Sequence, residues 1–176
     1  MPNWVATKIT FHGITDEQFN DIVNRFTREE SYPGEKPGRV LDFERVIPMP
    51  DYIYRGNLGQ AEREKYGKNN WYDWSLEHWG TKWNASRGDV WPEEHALGFW
   101  TAWSFAEPVI EELTDLTGCE IEAMWADEDF GYNVGHKAYT PEGLAFDEEV
   151  ASNSDEAWEI VEELWGVTKE ELENEE

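Results

Sequence analysis

At 176 residues, with a net charge of −25 and a sequence pI near 4.3, the chain has the length of one domain and an anionic surface. Such a surface repels phosphates and anionic lipid, which disfavours direct contact with nucleic acid or membrane. A single cysteine, Cys119, rules out an internal disulfide, and no run approaches the roughly 18 apolar residues of a membrane span, so a cytoplasmic protein is expected.

Residues 4–12 alternate, with Val5, Thr7, Ile9 and Phe11 on one face, and read as a strand half buried against helices. Thr15 and Gln18 form a capping box, after which Phe19, Ile22, Val23 and Phe26 repeat as an amphipathic helix over about 16–28. Pro33, Gly34, Pro37 and Gly38 mark a loop. Residues 41–47 read as a second strand, with Leu41 and Phe43 inward, stopped by Pro48 and Pro50. Residues 51–96 are irregular. The 60–66 stretch has helical character, and Asn69 or Asn70 caps a short helix carrying Trp71, Trp74, Ser75 and His78 on one face, ended by Gly80.

Residues 97–105 alternate with aromatic and small side chains on both faces, the mark of a central strand. Pro108 opens a helix with Val109, Ile110 and Leu113 inward, and Gly118 follows its end. Residues 119–125 form a fourth strand with Cys119, Ile121, Ala123 and Trp125 toward the core. Further strands and turns are expected over 127–150, around 130–134 and 137–146. Ser154 then caps a helix with Trp158, Val161, Leu164 and Trp165 inward, ended by Gly166, and Thr168 with Glu171 caps a short acidic tail helix.

The order strand, helix, strand, insertion, strand, helix, strand is that of an α+β ferredoxin-like sandwich, a split βαβ with an antiparallel sheet and helices on one face. The domain is expected over 1–135, with a Trp-rich insertion at 51–96 between strands 2 and 3. An acidic β/α extension follows over 136–176.

Several strings carry a resemblance: Met1-Pro2-Asn3-Trp4-Val5, Ile47-Pro48-Met49-Pro50, Trp79-Gly80-Thr81-Lys82-Trp83-Asn84-Ala85, and Thr101-Ala102-Trp103-Ser104 followed by Pro108-Val109-Ile110. In order and spacing they resemble the YubB-like ferredoxin-like domain of phages and conjugative plasmids, over roughly residues 1–135. The resemblance implies ferredoxin-like topology without an iron–sulfur cluster, which one cysteine could not ligate. It implies no established reaction, so no catalytic residue is carried over.

Seven of the eleven tryptophans lie between Trp71 and Trp103. They form either a core seam or an aromatic pocket, in which Trp71, Trp79 and Trp83 would stack a ligand and Lys82 or Asn84 would orient it. The four histidines show no metal-ligand spacing, and Asp127-Glu128-Asp129 lacks that of a calcium loop, so no metal or other cofactor is expected. No nucleophile-elbow, phosphate-loop or dinucleotide pattern occurs, and the balance is against an enzyme.

Acid is unevenly placed. Residues 1–106 carry 12 Lys/Arg against 16 Asp/Glu, whereas residues 107–176 carry 2 against 23. On the last long helix, Glu156, Glu159, Glu162 and Glu163 occupy faces left by the apolar residues, as a ladder of charge or as an ordinary solvated face. The expectation is a non-enzymatic accessory protein of a mobile element. It would bind a basic, nucleic-acid-handling host protein through that ladder, as a DNA-mimic-like counter-defence inhibitor. A small-ligand or enzymatic site at Trp71–Trp103 and a structural phage protein are the alternatives.

Overall fold

The computed structural model describes residues 1–175. Its centre is β1 (Trp4–His12), which pairs antiparallel with β5 (Ala96–Ala102) on one side and β6 (Glu120–Asp127) on the other. Beyond β5 lies β4 (Ser86–Trp91), and beyond β6 lie β7 (Val134–Thr140) and β8 (Gly143–Glu148), giving the sheet order β4-β5-β1-β6-β7-β8. Helix α1 (Asp16–Phe26) leads from β1 toward β4, and α5 (Glu107–Thr117) leads from β5 to β6. Each pair of parallel strands is thus split by a third, which is the ferredoxin-like topology.

Local chemistry explains the secure elements. Thr15 and Gln18 exchange both bonds of a capping box at the start of α1, and Phe19, Ile22 and Phe26 are buried. Pro108 sits in the first turn of α5, and Gly118 ends it in the left-handed conformation that a glycine adopts without strain. Ser154 caps α6 (Asp155–Trp165), and Thr168 with Glu171 caps α7 (Lys169–Glu175).

The second strand is not at 41–47. The chain leaves α1 directly into a separate hairpin, β2 (Thr27–Glu30) with β3 (Gly38–Leu41), whose connecting loop holds Pro33 and Gly34. Asp42 then accepts from the Glu44 amide and turns Phe43–Val46 into one helical turn, α2. Its place in the sheet is taken by β4, inside the stretch expected to be an insertion. Helices α3 (Gln60–Tyr66) and α4 (Trp71–His78) fill the connection, and of the two candidate caps it is Asn70 that caps α4. Of the strands and turns expected over 127–150, residues 130–133 are the turn, and the 137–146 stretch is a hairpin, β7 turning into β8.

The sheet is covered on both faces. Ile9, Phe11, Phe99, Ile121 and Ala123 pack inward on α1, α2 and α5 in the main core. On the opposite face, Ala126 packs on Ile160 and Val161 of α6, with Met124, Phe130, Trp158, Leu164 and Trp165 around them. Burying each large apolar side chain contributes about 1.5–3 kcal/mol. The outer layer is small and stops short of β4 and β5, and that shortfall opens the groove described next.

Candidate functional site

Alternation along β1 sends Lys8 to the outer face, where it is only 9% exposed. Its ammonium donates to Glu94 at 3.0 Å and to Glu163 at 2.7 Å, and lies 5.3 Å from the Trp91 ring centre. Burial pulls the lysine's pKa down, but the bonds from Glu163 and Glu94 outweigh it and hold the group charged. Gly98 lets Trp91 close over the strand, since a Cβ there would lie 2.7 Å from the indole.

A β-bulge shapes the next stretch. The β4–β5 register shifts between Ser86 and Asp89, and Arg87 takes a φ of +52°. Gly88 is required here: a Cβ would meet the Arg39 carbonyl at 2.2 Å and the Val40 Cα at 2.5 Å. The Arg87 guanidinium stacks 3.8 Å from the Tyr32 ring centre and donates to Glu35 at 2.9 and 3.0 Å. Glu30 accepts from the Gly88 amide at 2.6 Å and from the Tyr32 hydroxyl at 2.8 Å. The Asp89 carboxylate has no hydrogen bond or ion pair among the described residues, and burial, then the charge of Glu30, pushes its pKa up.

Two adjoining cavities, of about 250 and 370 Å³, share Arg87, Asp89 and Trp100, so they form one groove along β4 and β5. An aromatic run crosses this face: Trp83 to Trp4 at 6.2 Å, Trp4 to Trp100 at 6.1 Å, Trp100 to Trp165 at 5.1 Å, and Trp165 to Phe130 at 5.9 Å. Its chemistry is concave, aromatic and richer in carboxylates than in cations.

The residues singled out from the sequence divide between two places. Trp79 is buried in the main core and donates its N–H to the Ile47 carbonyl, while Trp71 donates to that of Gly56. Asn84 accepts from the Phe43 and Ala85 amides and donates to Asp42. These three hold α2 and α4 in position and do not converge on a cavity wall with Lys82. Trp83 is 38% exposed, carries Lys82 at 4.5 Å from its ring centre, and joins the aromatic run of the outer face. Glu156, Glu159 and Glu162 are exposed on α6 without an ion pair among the described residues, whereas Glu163 turns in to Lys8.

Lys8, Arg87 and Asp89 were missed, and Trp91 and Trp100 were counted without being assigned. The available signal was a lysine at the centre of an alternating strand, the one fixed charge among its nine residues. Asp127 accepts from Asn3, Asn133 and the Asp129 amide, so it fixes its turn. Among the described residues no group of three or more His, Cys, Asp or Glu is placed to hold a metal, and no helix is long and apolar enough to cross a membrane.

A family model described as a ferredoxin-like domain in Api92-like protein matches residues 78–168, from the end of α4 through α6. No curated protein and no solved structure matches the chain significantly. The family match bears out the ferredoxin-like reading on independent grounds.

Proposed function

The chain belongs to the family of ferredoxin-like domains in Api92-like proteins, and from that premise we propose a non-enzymatic accessory protein that binds a basic, nucleic-acid-handling protein through its acidic C-terminal layer. A fold of this kind hosts many activities, so the reading rests on the surface and not on the topology. The observation that carries it is the exposed row Glu156, Glu159 and Glu162 on α6, unpaired among the described residues and continued by Glu170, Glu171 and Glu173 on α7. From Glu156 to Glu162 the α6 carboxylates span roughly 9 Å along the axis, somewhat less than two helical turns. That spacing lets a Lys/Arg-rich groove meet several charges at once, as it would on a phosphate backbone. The likeness to YubB-like domains supports a mobile-element setting, cytoplasmic in a host cell, and a counter-defence inhibitor is the role that fits a decoy of this charge.

Association steered by such charge is fast and salt-dependent. The test is affinity capture from host lysate at low and high salt, using the wild-type chain and a Glu156→Lys, Glu159→Lys, Glu162→Lys variant. A basic nucleic-acid-binding protein retained only at low salt, and released by the triple reversal, is the expected result. Capture that survives the reversal at low salt would refute the charge mechanism.

A further inference from the structure

Five carboxylates line the outer-face groove, Glu30, Glu35, Asp89, Glu94 and Glu163, against three cations, Lys8, Lys36 and Arg87. Glu94 and Glu163 are committed to Lys8, Glu35 to Arg87, and Glu30 to Tyr32 and the Gly88 amide. Of these carboxylates only that of Asp89 has no partner among the described residues, and it sits on the bulge that aims it out of the sheet and into both halves of the groove. Trp100 lines the same two halves, and neither its N–H nor that of Trp91 is engaged within the described residues, unlike those of Trp71, Trp79, Trp158 and Trp165. An unengaged carboxylate beside an indole wall, in a groove of net negative charge, suits one flat cation.

We propose that this groove receives an arginine side chain of a basic protein partner, its guanidinium plane against the Trp100 indole and its N–H groups on the Asp89 carboxylate. Guanidinium suits the site better than ammonium because it is planar, weakly hydrated and able to stack and hydrogen-bond together. The chain already uses that combination next door, where Arg87 stacks on Tyr32 and bonds Glu35. An anion is disfavoured by the surrounding carboxylates. The proposal rests on the basic-partner reading above and adds to it a specific docking point, about which the α6 charges would act at longer range.

The test is an NMR titration of the full chain with ¹⁵N-labelled indoles, followed at Trp91 and Trp100. The probe is a blocked Gly-Arg-Gly peptide, and its control is the citrulline peptide, which has the same shape without the charge. The arginine peptide should shift both indole signals and the citrulline peptide neither. Asp89→Asn, folded by its unchanged remaining indole signals, should weaken binding about tenfold, the effect of one charge-assisted contact. Charge reversal at Glu156, Glu159 and Glu162 should leave peptide binding intact. Absent shifts, equal response to citrulline, or indifference to Asp89→Asn would overturn the groove. Lysate capture that still depended on α6 would then leave the surface reading standing, while capture independent of α6 with intact peptide shifts would remove only that reading.

Discussion

Asn84 shows how a polar residue among aromatic rings can be structural. Its side chain accepts from two backbone amides, at 2.9 and 2.8 Å, and donates to Asp42 at 2.8 Å, so it ties the start of α2 to the start of β4. Asn84→Ala should cost about 1–3 kcal/mol, since it leaves buried amides without acceptors, and urea unfolding will read that loss. Glu107 belongs to the same scale. It accepts from Lys137 at 2.8 Å and from the Tyr139 hydroxyl. Burial pushes its carboxyl up, but those two bonds outweigh burial and hold it below the ordinary glutamate value of 4.5. A native pKa below the unfolded one stabilises the fold above the unfolded value and is lost as pH falls through the native one. The stability gap between wild type and Glu107→Gln should therefore be full near neutrality and shrink on acidification below about pH 4.5. Thermal melts across that range will measure it. Neither role was legible in the sequence, because hydrogen-bond partners dozens of residues apart leave no local pattern. The indoles were ambiguous for the same reason: whether a tryptophan is core or wall depends on which carbonyl its N–H meets.

At the level of elements, α1, α4, α5, α6 and the central strands could be read from period and caps, because each is amphipathic over at least two turns or flanked by proline and glycine. Strand β4 could not. Its sequence, Ser-Arg-Gly-Asp-Val-Trp, is broken by a bulge that cancels the two-residue period, and only its pairing with β5 reveals it. The 41–47 stretch failed in the opposite way: three apolar residues suggested a strand, and one aspartate cap made a helical turn. The bulge also supplies a prediction at this scale. Gly88→Ala would drive a methyl into the backbone of β3, where no side chain can move aside. It should destabilise by roughly 1–3 kcal/mol or more, with hydrogen exchange accelerated first in β2 and β3. The same bulge aims Arg87 and Asp89, so the groove depends on the feature that hid its strand.

For the whole molecule, a second layer changes what the fold can present. Helix α6 closes the outer face over β1, β6 and β7 but leaves β4 and β5 open beside it. The acid expected as one ladder is therefore divided: Glu163, though still exposed, is bound to Lys8, and Glu156, Glu159 and Glu162 have no ion pair among the described residues. Charge asymmetry was plain from the sequence, whereas that division required the three-dimensional placement of α6.

The position of β1 has a consequence in time. Its neighbours Ala96–Ala102 and Glu120–Asp127 are translated last among the strands it needs, so the nine residues of β1 wait unpaired. At a synthesis rate of about 5–20 residues per second, that wait is on the order of 10 s. Val5, Ile9 and Phe11 would make such a segment sticky. Lys8 stands in their midst as a gatekeeper against self-association while the ribosome works, and only with the arrival of α6, the last of its partners, is that charge enclosed.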